Sequence, residues 1–155
     1  MYVVNKLDTV DPREVQALQQ YLQDYGRQAE LYTQQLQLIE EGRMEAAAAI
    51  EALKSISTPD EDGVVLLQLG GGASVRARLL EPEKVLLNIG SDVIVEKSNS
   101  AAIEYLKDRI TEMEASGKKV AETIDRIRTQ MNEIARRIET AYQQAQAAGI
   151  SPGQA

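Results

Sequence analysis

The chain of 155 residues contains no cysteine, histidine, phenylalanine or tryptophan. Without Cys or His it can form no disulfide, no zinc site of the usual kind, no nucleophile with an imidazole base and no histidine pH switch. Much of catalysis is thereby excluded, and no cofactor or metal is expected. The lack of Phe and Trp leaves six tyrosines to share bulky packing with Leu, Ile, Val and many Ala. Compact globular cores lean on aromatic rings for buried area, whereas long helix-on-helix seams are built from aliphatic residues and Ala. An extended helical architecture is the expectation. Excess positive charge is lacking too: the formal net charge is −7, which speaks against nucleic acid, because a phosphate backbone needs clustered Lys and Arg. Apolar runs are too short to span a bilayer, and "MYVVNKLDTV" has no basic region followed by a long apolar core. A soluble, cytoplasmic protein that binds neither membrane nor nucleic acid is expected.

The apolar fraction of 43% is that of a chain that folds. Proline is scarce, at positions 12, 59, 82 and 152 only, so residues 13–58 and 83–151 leave room for two long helices. In "DPRE", Asp11 serves as cap, Pro12 as first helical residue and Glu14 as the partner in a capping box. Thr58-Pro59 stops that helix. The second begins in "SNSAAIE", capped by Ser98 or Ser100, and ends near Gly149.

With Val15 as position a of a heptad, the first helix places Val15, Leu18, Leu22, Tyr25, Ala29, Tyr32, Leu36, Ile39, Arg43, Ala46, Ile50 and Leu53 on one seam. From Ile103 the second places Ile103, Leu106, Ile110, Met113, Gly117, Val120, Ile124, Ile127, Met131, Ile134, Ile138, Ala141, Ala145 and Ala148. Heptads sustained over this length signal a coiled coil, with each helix about 65 to 75 Å long. Matching lengths and one connecting insert predict an antiparallel pair, Leu53 near Ile103 and Val15 near Ala141. The two exceptions, Arg43 and Gly117, then fall at nearby levels, where a long side chain could lie across a glycine.

Between the helices, "VVLLQL" and "ASVRARLL" flank three glycines, and "VLLNI", "GSD" and "VIVEK" add a strand, a turn and a strand. Four short strands in two hairpins are predicted. The predicted fold class is α+β, mainly α: a long antiparallel coiled-coil helical hairpin with two inserted β-hairpins. The expected divisions are 1–58, 59–98 and 99–155 within a single domain. Two hairpins are too little sheet to stand alone, and strands apolar on both faces are expected to pair with other chains.

Gly70, Gly71 and Gly72 do not make a phosphate loop. A Walker loop needs a Lys and a following helix, and a dinucleotide loop needs a third glycine where Val75 stands. A hairpin turn using positive φ is expected. Most carboxylates lie on outer helix positions, and pairs such as Glu122/Arg126 and Glu133/Arg137 fit surface pairing rather than a site. Toward the chain termini the seam thins to Ala, leaving Val15, Leu18, Ile138 and Tyr142 partly exposed near Val3, Val4, Leu7 and Val10. Such surface marks either an interaction site or ordinary fraying of helix ends.

A helix of six heptads, two β-hairpins and a returning helix of equal length resembles the α-type subunits of the prefoldin family; β-type subunits carry one hairpin. "LQLGGGASVRARL" resembles the first hairpin of that family and "VLLNIGSDVIVEKS" the second with the start of the following helix. The resemblance spans residues 8–148, and it is to archaeal forms. It implies an ATP-independent chaperone, a holdase rather than an enzyme, in which two α and four β subunits join their hairpins into a β-barrel platform. Unfolded client proteins are then held at the coiled-coil ends and passed to a group II chaperonin. It further implies oligomer contacts through Val64, Leu66, Leu69, Val75, Leu79, Val85, Leu87, Ile89, Val93 and Val95, and client contacts through Leu7, Val10, Val15, Leu18, Leu22, Ile134, Ile138, Tyr142 and Ile150. The rival reading is a structural coiled-coil adaptor with fixed partners that binds no unfolded chain.

Overall fold

The computed structural model describes residues 11–57 and 63–149. Helix α1 (Pro12–Ser57) is followed by strands β1 (Val64–Gly70), β2 (Ala73–Arg78), β3 (Lys84–Asn88) and β4 (Ile94–Ser98) and by helix α2 (Asn99–Ala147). The strands form two separate two-stranded antiparallel sheets, β1 with β2 and β3 with β4. Two long helices bracketing two hairpins is the architecture expected from the proline spacing and the heptads.

The helix boundaries have local chemical causes. The Asp11 carboxylate accepts the Arg13 N–H at 2.9 Å, and its carbonyl accepts the N–H groups of Glu14 and Val15, so donors left over in the first turn are satisfied. Of the two candidate caps for α2, Ser98 is the one used: its Oγ accepts the Ala101 N–H at 3.2 Å. Ser98 is thus both the last residue of β4 and the cap of α2. At the far end Gly149, with φ +72°, donates to the Gln146 carbonyl at 3.1 Å, a left-handed stop that suits glycine.

The chain divides into two compact units. In the terminal unit, made of residues up to 37 and from 118 onward, α1 and α2 run antiparallel. Gln19 Nε2 donates to Tyr142 Oη at 3.1 Å, and a Cβ on Gly26 would lie 3.8 Å from Met131 Cε. Val120, Ile124 and Ile127 are its buried core. In the central unit, residues 38–117, Ala46, Ile50 and Ala102 are buried. There Gly42 faces Met113, whose Sδ would lie 3.2 Å from an added Cβ. Both glycine contacts lie within one residue of the register set by pairing Leu53 with Ile103. Every seam position expected on α1 is buried or half-buried, and on α2 only Ala148 is exposed. Full burial of a Val, Leu or Ile side chain contributes about 1.5–3 kcal/mol relative to exposure, and half-burial correspondingly less.

At the level of Arg43 the long side chain lying over a glycine is Met113 over Gly42. Arg43 instead turns its guanidinium to Glu40 on its own helix, at 2.9 Å. That hydrogen bond, then the Glu40 charge, holds its pKa above the usual guanidinium value, with Glu114 adding to the effect. An unbranched thioether fills an irregular gap without a charge to solvate, which explains why Met takes that place. The helix ion pairs follow the same local pattern: Asp24–Arg27, Glu51–Lys54 and Glu104–Lys107 all join residues three apart. Arg126 donates to Thr123 Oγ1 at 3.1 Å rather than reaching Glu122.

Candidate interaction surfaces

In the first hairpin Val65 pairs with Ala77 and Leu67 with Val75, so these four side chains share one face. Val64 with Arg78, and Leu66 with Arg76, form the other. Val64, Val65 and Ala77 are half-buried, whereas Leu66 is 63% exposed and Leu67 51% exposed. Large aliphatic groups therefore stand exposed on both faces of β1. The glycines at its turn all have positive φ, +99°, +60° and +80° at Gly70, Gly71 and Gly72, and the ladder is irregular between Gln68 and Gly70. The strands differ in length from the spans read in the sequence. β2 starts at Ala73 and stops at Arg78, leaving Leu79 and Leu80 beyond the ladder, because its partner β1 begins at Val64, opposite Arg78.

The second hairpin is sided. Val85 pairs with Lys97 and Leu87 with Val95 on a half-buried face, and the Lys97 ammonium lies 5.9 Å from the centre of the Tyr105 ring at the start of α2. Leu86 opposite Glu96, and Ile94 opposite Asn88, occupy the outer face, with Leu86 70% exposed. Its turn places Ser91 and Asp92 at φ +50° and +60°, closed by Val93 N–H to the Gly90 carbonyl at 2.9 Å. Positive φ at both central positions suits the twist of a two-residue hairpin turn. β4 runs from Ile94 to Ser98 and so continues past Val95 to the α2 cap.

Of the residues singled out for assembly, Leu66, Leu69, Val75, Leu79, Ile89 and Val93 are exposed, and Val64, Val85, Leu87 and Val95 are half-buried. Of those singled out for clients, Val15, Leu18, Leu22, Ile134 and Ile138 are half-buried in the seam of the terminal unit. Tyr142 is exposed and accepts a hydrogen bond from Gln19. Leu7, Val10 and Ile150 lie outside the described residues.

Asn99 escaped the reading of the sequence. It is the buried polar residue among the described residues, 3% exposed, with Nδ2 donating to the Leu53 carbonyl and its backbone N–H to the Glu83 carbonyl, each at 3.0 Å. One residue, by its side chain and its backbone N–H, therefore ties the end of α1, the entry to β3 and the start of α2 in the central unit. Its only sequence signal is position, an Asn between two candidate cap serines.

Among the described residues no group of three or more His, Cys, Asp or Glu is placed to hold a metal ion, and no helix is long and apolar enough to cross a membrane. The chemistry on offer is apolar surface with hydrogen-bonding edges.

Known proteins share this arrangement. The family model "Prefoldin subunit" matches residues 25–144. The prefoldin subunit alpha of Methanoregula boonei is 64% identical over 136 residues, 88% of this chain and 88% of that protein. That of Methanoculleus marisnigri is 50% identical, covering 95% of this chain and 98% of the relative. Among solved structures, a filamentous prefoldin from Methanocaldococcus jannaschii aligns with a TM-score of 0.64 at 18% identity, over 77% of this chain and 98% of its own. The prefoldin beta subunit of a Thermococcus strain aligns at 0.55 and 22% identity, over 87% and 96%. Identities this low show the fold alone, but the sequence matches reach further. The chain belongs to the prefoldin family.

Proposed function

We propose that this chaperone subunit works as part of an ATP-independent holdase in the cytoplasm, joining one-hairpin β-type subunits as two α with four β, capturing unfolded proteins and passing them to a group II chaperonin. The observation that carries the reading is the uncovered apolar surface of the hairpins, Leu66 and Leu67 on opposite faces of β1 and Leu86 and Ile94 on the outer face of the second. Exposed strands of this kind are completed by strands from other chains. On this reading Val64, Leu66, Leu69, Val75, Leu79, Val85, Leu87, Ile89, Val93 and Val95 build the platform.

Client capture is assigned to the terminal unit, through Val15, Leu18, Leu22, Ile134, Ile138 and Tyr142 and the segments that include Leu7, Val10 and Ile150. Apolar contact is not directional and so accepts many sequences, and several weak contacts in one assembly gain strength through high local concentration. Release needs competition rather than hydrolysis.

The test is mass measurement after mixing with a one-hairpin partner subunit, followed by aggregation of a chemically unfolded client with the complex and no nucleotide. A hexamer containing two copies of this chain that suppresses aggregation near stoichiometry is expected. A chain that stays monomeric refutes the platform; a hexamer that ignores unfolded clients leaves the adaptor reading.

A further inference from the structure

Charge is divided unevenly between the two units. Residues 1–37 and 118–155 together carry nine Lys or Arg and nine Asp or Glu, whereas residues 38–117 carry eight against fifteen. The whole net charge of −7 therefore lies in the central unit. Cations are the minority there, and six of the eight are engaged within the fold. Arg43, Lys54, Lys84 and Lys107 reach Glu40, Glu51, Glu81 and Glu104 at 2.9 to 3.4 Å. Lys97 lies over the Tyr105 ring, and Arg109 donates to the Tyr105 hydroxyl at 3.4 Å. Arg76 and Arg78 have no partner among the described residues.

These two exceptions are neighbours. They stand two apart on β2, so both side chains rise from one face of the first hairpin, about 7 Å apart along the strand. That face is the one opposite Leu67 and Val75. Both arginines are exposed, and Leu80, two residues beyond Arg78, is 95% exposed. Strands β1 and β2 contain no carboxylate. An acid-rich unit with indiscriminate pairing would leave carboxylates over, not a pair of adjacent guanidinium groups, each able to bind a carboxylate through two parallel hydrogen bonds.

We infer that Arg76, Arg78 and Leu80 form a docking surface for a short acidic segment of another protein, with carboxylates at alternate positions and apolar residues beside them. An extended backbone repeats its same-side groups at the interval that separates the arginines, and Leu80 takes an apolar neighbour. A polyanion does not fit: nucleic acid needs many clustered cations, and the fifteen carboxylates of the unit repel a long run of negative charge. The inference goes beyond the assembly reading and takes from it only that Leu67 and Val75 face the platform. The two faces of a ribbon point opposite ways, so the arginine face stays open in the complex.

The experiment uses the complete complex with its β-type partner and the fluorescein-labelled peptide Gly-Leu-Glu-Leu-Glu-Leu-Gly, with versions carrying Gln or Lys in place of Glu, in anisotropy titrations. The acidic peptide should bind roughly fivefold more tightly than the Gln version at low salt, and high salt should erase the difference. Arg76→Gln with Arg78→Gln should lose that fivefold and still form the hexamer. Arg136→Gln with Arg137→Gln, at another exposed arginine pair, should change nothing, and Arg76→Glu with Arg78→Glu should transfer preference to the Lys peptide. Equal binding of the acidic and Gln peptides overturns the inference, as do equal losses in the two Arg→Gln variants or tighter binding of a single-stranded RNA oligomer. Loss of the hexamer on substituting Arg76 and Arg78 also overturns it, since the arginines then belong to the platform. If the wild-type chain itself never joins its partner, the platform reading falls, and the same titrations on the free chain decide the inference.

Discussion

The side-chain amide of Asn99 donates to the backbone carbonyl of Leu53, 46 residues earlier in the chain, at 3.0 Å. This bond closes α1 onto α2 where both meet the hairpins, and it is made by a side chain almost wholly removed from water. Burial without a partner would be costly, so the geometry is strict.

Replacing Asn99 should therefore cost more than its size suggests. Asn99→Ala removes the donor and is expected to lower stability by about 1–3 kcal/mol. N99D should be worse at neutral pH, because a carboxylate would face a carbonyl, and burial raises the pKa of the introduced acid above its unfolded value. Below the unfolded value the acid is protonated in both states, and the protonated form can donate. The penalty should grow as pH rises from about 4 and be complete once pH passes the folded pKa. Urea melts of the variant between acid and neutral pH check the sign; a flat difference from wild type refutes it.

The two helical glycines separate space from propensity. A methyl at Gly26 meets Met131 at an ordinary distance, so Gly26→Ala should stabilise by about 0.5–1 kcal/mol through helix propensity. Gly42→Ala should gain less, since Met113 Sδ at 3.2 Å must first yield. Thermal melts of both variants in one buffer decide the order.

The second hairpin turn holds two non-glycine residues at positive φ. Asp92→Gly relieves one of them and should stabilise by about 0.5–1 kcal/mol, a gain that the loss of Asp92's own restriction of the unfolded chain reduces. At Gly71, φ +60° with no neighbour near an added Cβ, an Ala carries only backbone strain of about 1 kcal/mol. Asn there should be tolerated better than Ala.

In the terminal unit, Ile124→Ala opens a cavity in a buried seam and should cost about 2–5 kcal/mol. Tyr142→Phe removes only an exposed hydrogen bond with Gln19 and should cost about 0.5 kcal/mol or less. Denaturant titration resolves the two.

Leu67→Lys with Val75→Lys places charges on one all-apolar face of the first hairpin without changing its pairing. On the proposed reading, assembly with β-type subunits should be lost while helical circular dichroism remains. A variant that still forms the hexamer rules that face out.

The long elements were legible because their signals repeat. Each a and d residue from Val15 to Leu53 reinforces its neighbours, and one exception such as Arg43 does not mask the period. The hairpins were legible from turn glycines and alternation, although Leu79 and Leu80, which read as strand, lie beyond the Val64–Arg78 pair that ends the ladder. Asn99 was not legible. A junction bond depends on one residue arriving from a distant part of the chain. Leu7, Val10 and Ile150, proposed as client residues, fall outside the described residues.

The confinement of all net charge to residues 38–117 bears on the subunit before it finds partners. A newly made chain displays Leu66, Leu86 and Ile94 to every other chain around it, an invitation to precipitate. Fifteen carboxylates against eight cations in the same unit make two unassembled copies repel before those leucines meet. On the proposed reading the charge acts as a colloidal stabiliser for the unassembled subunit, placed in the unit that carries the exposed hairpin leucines.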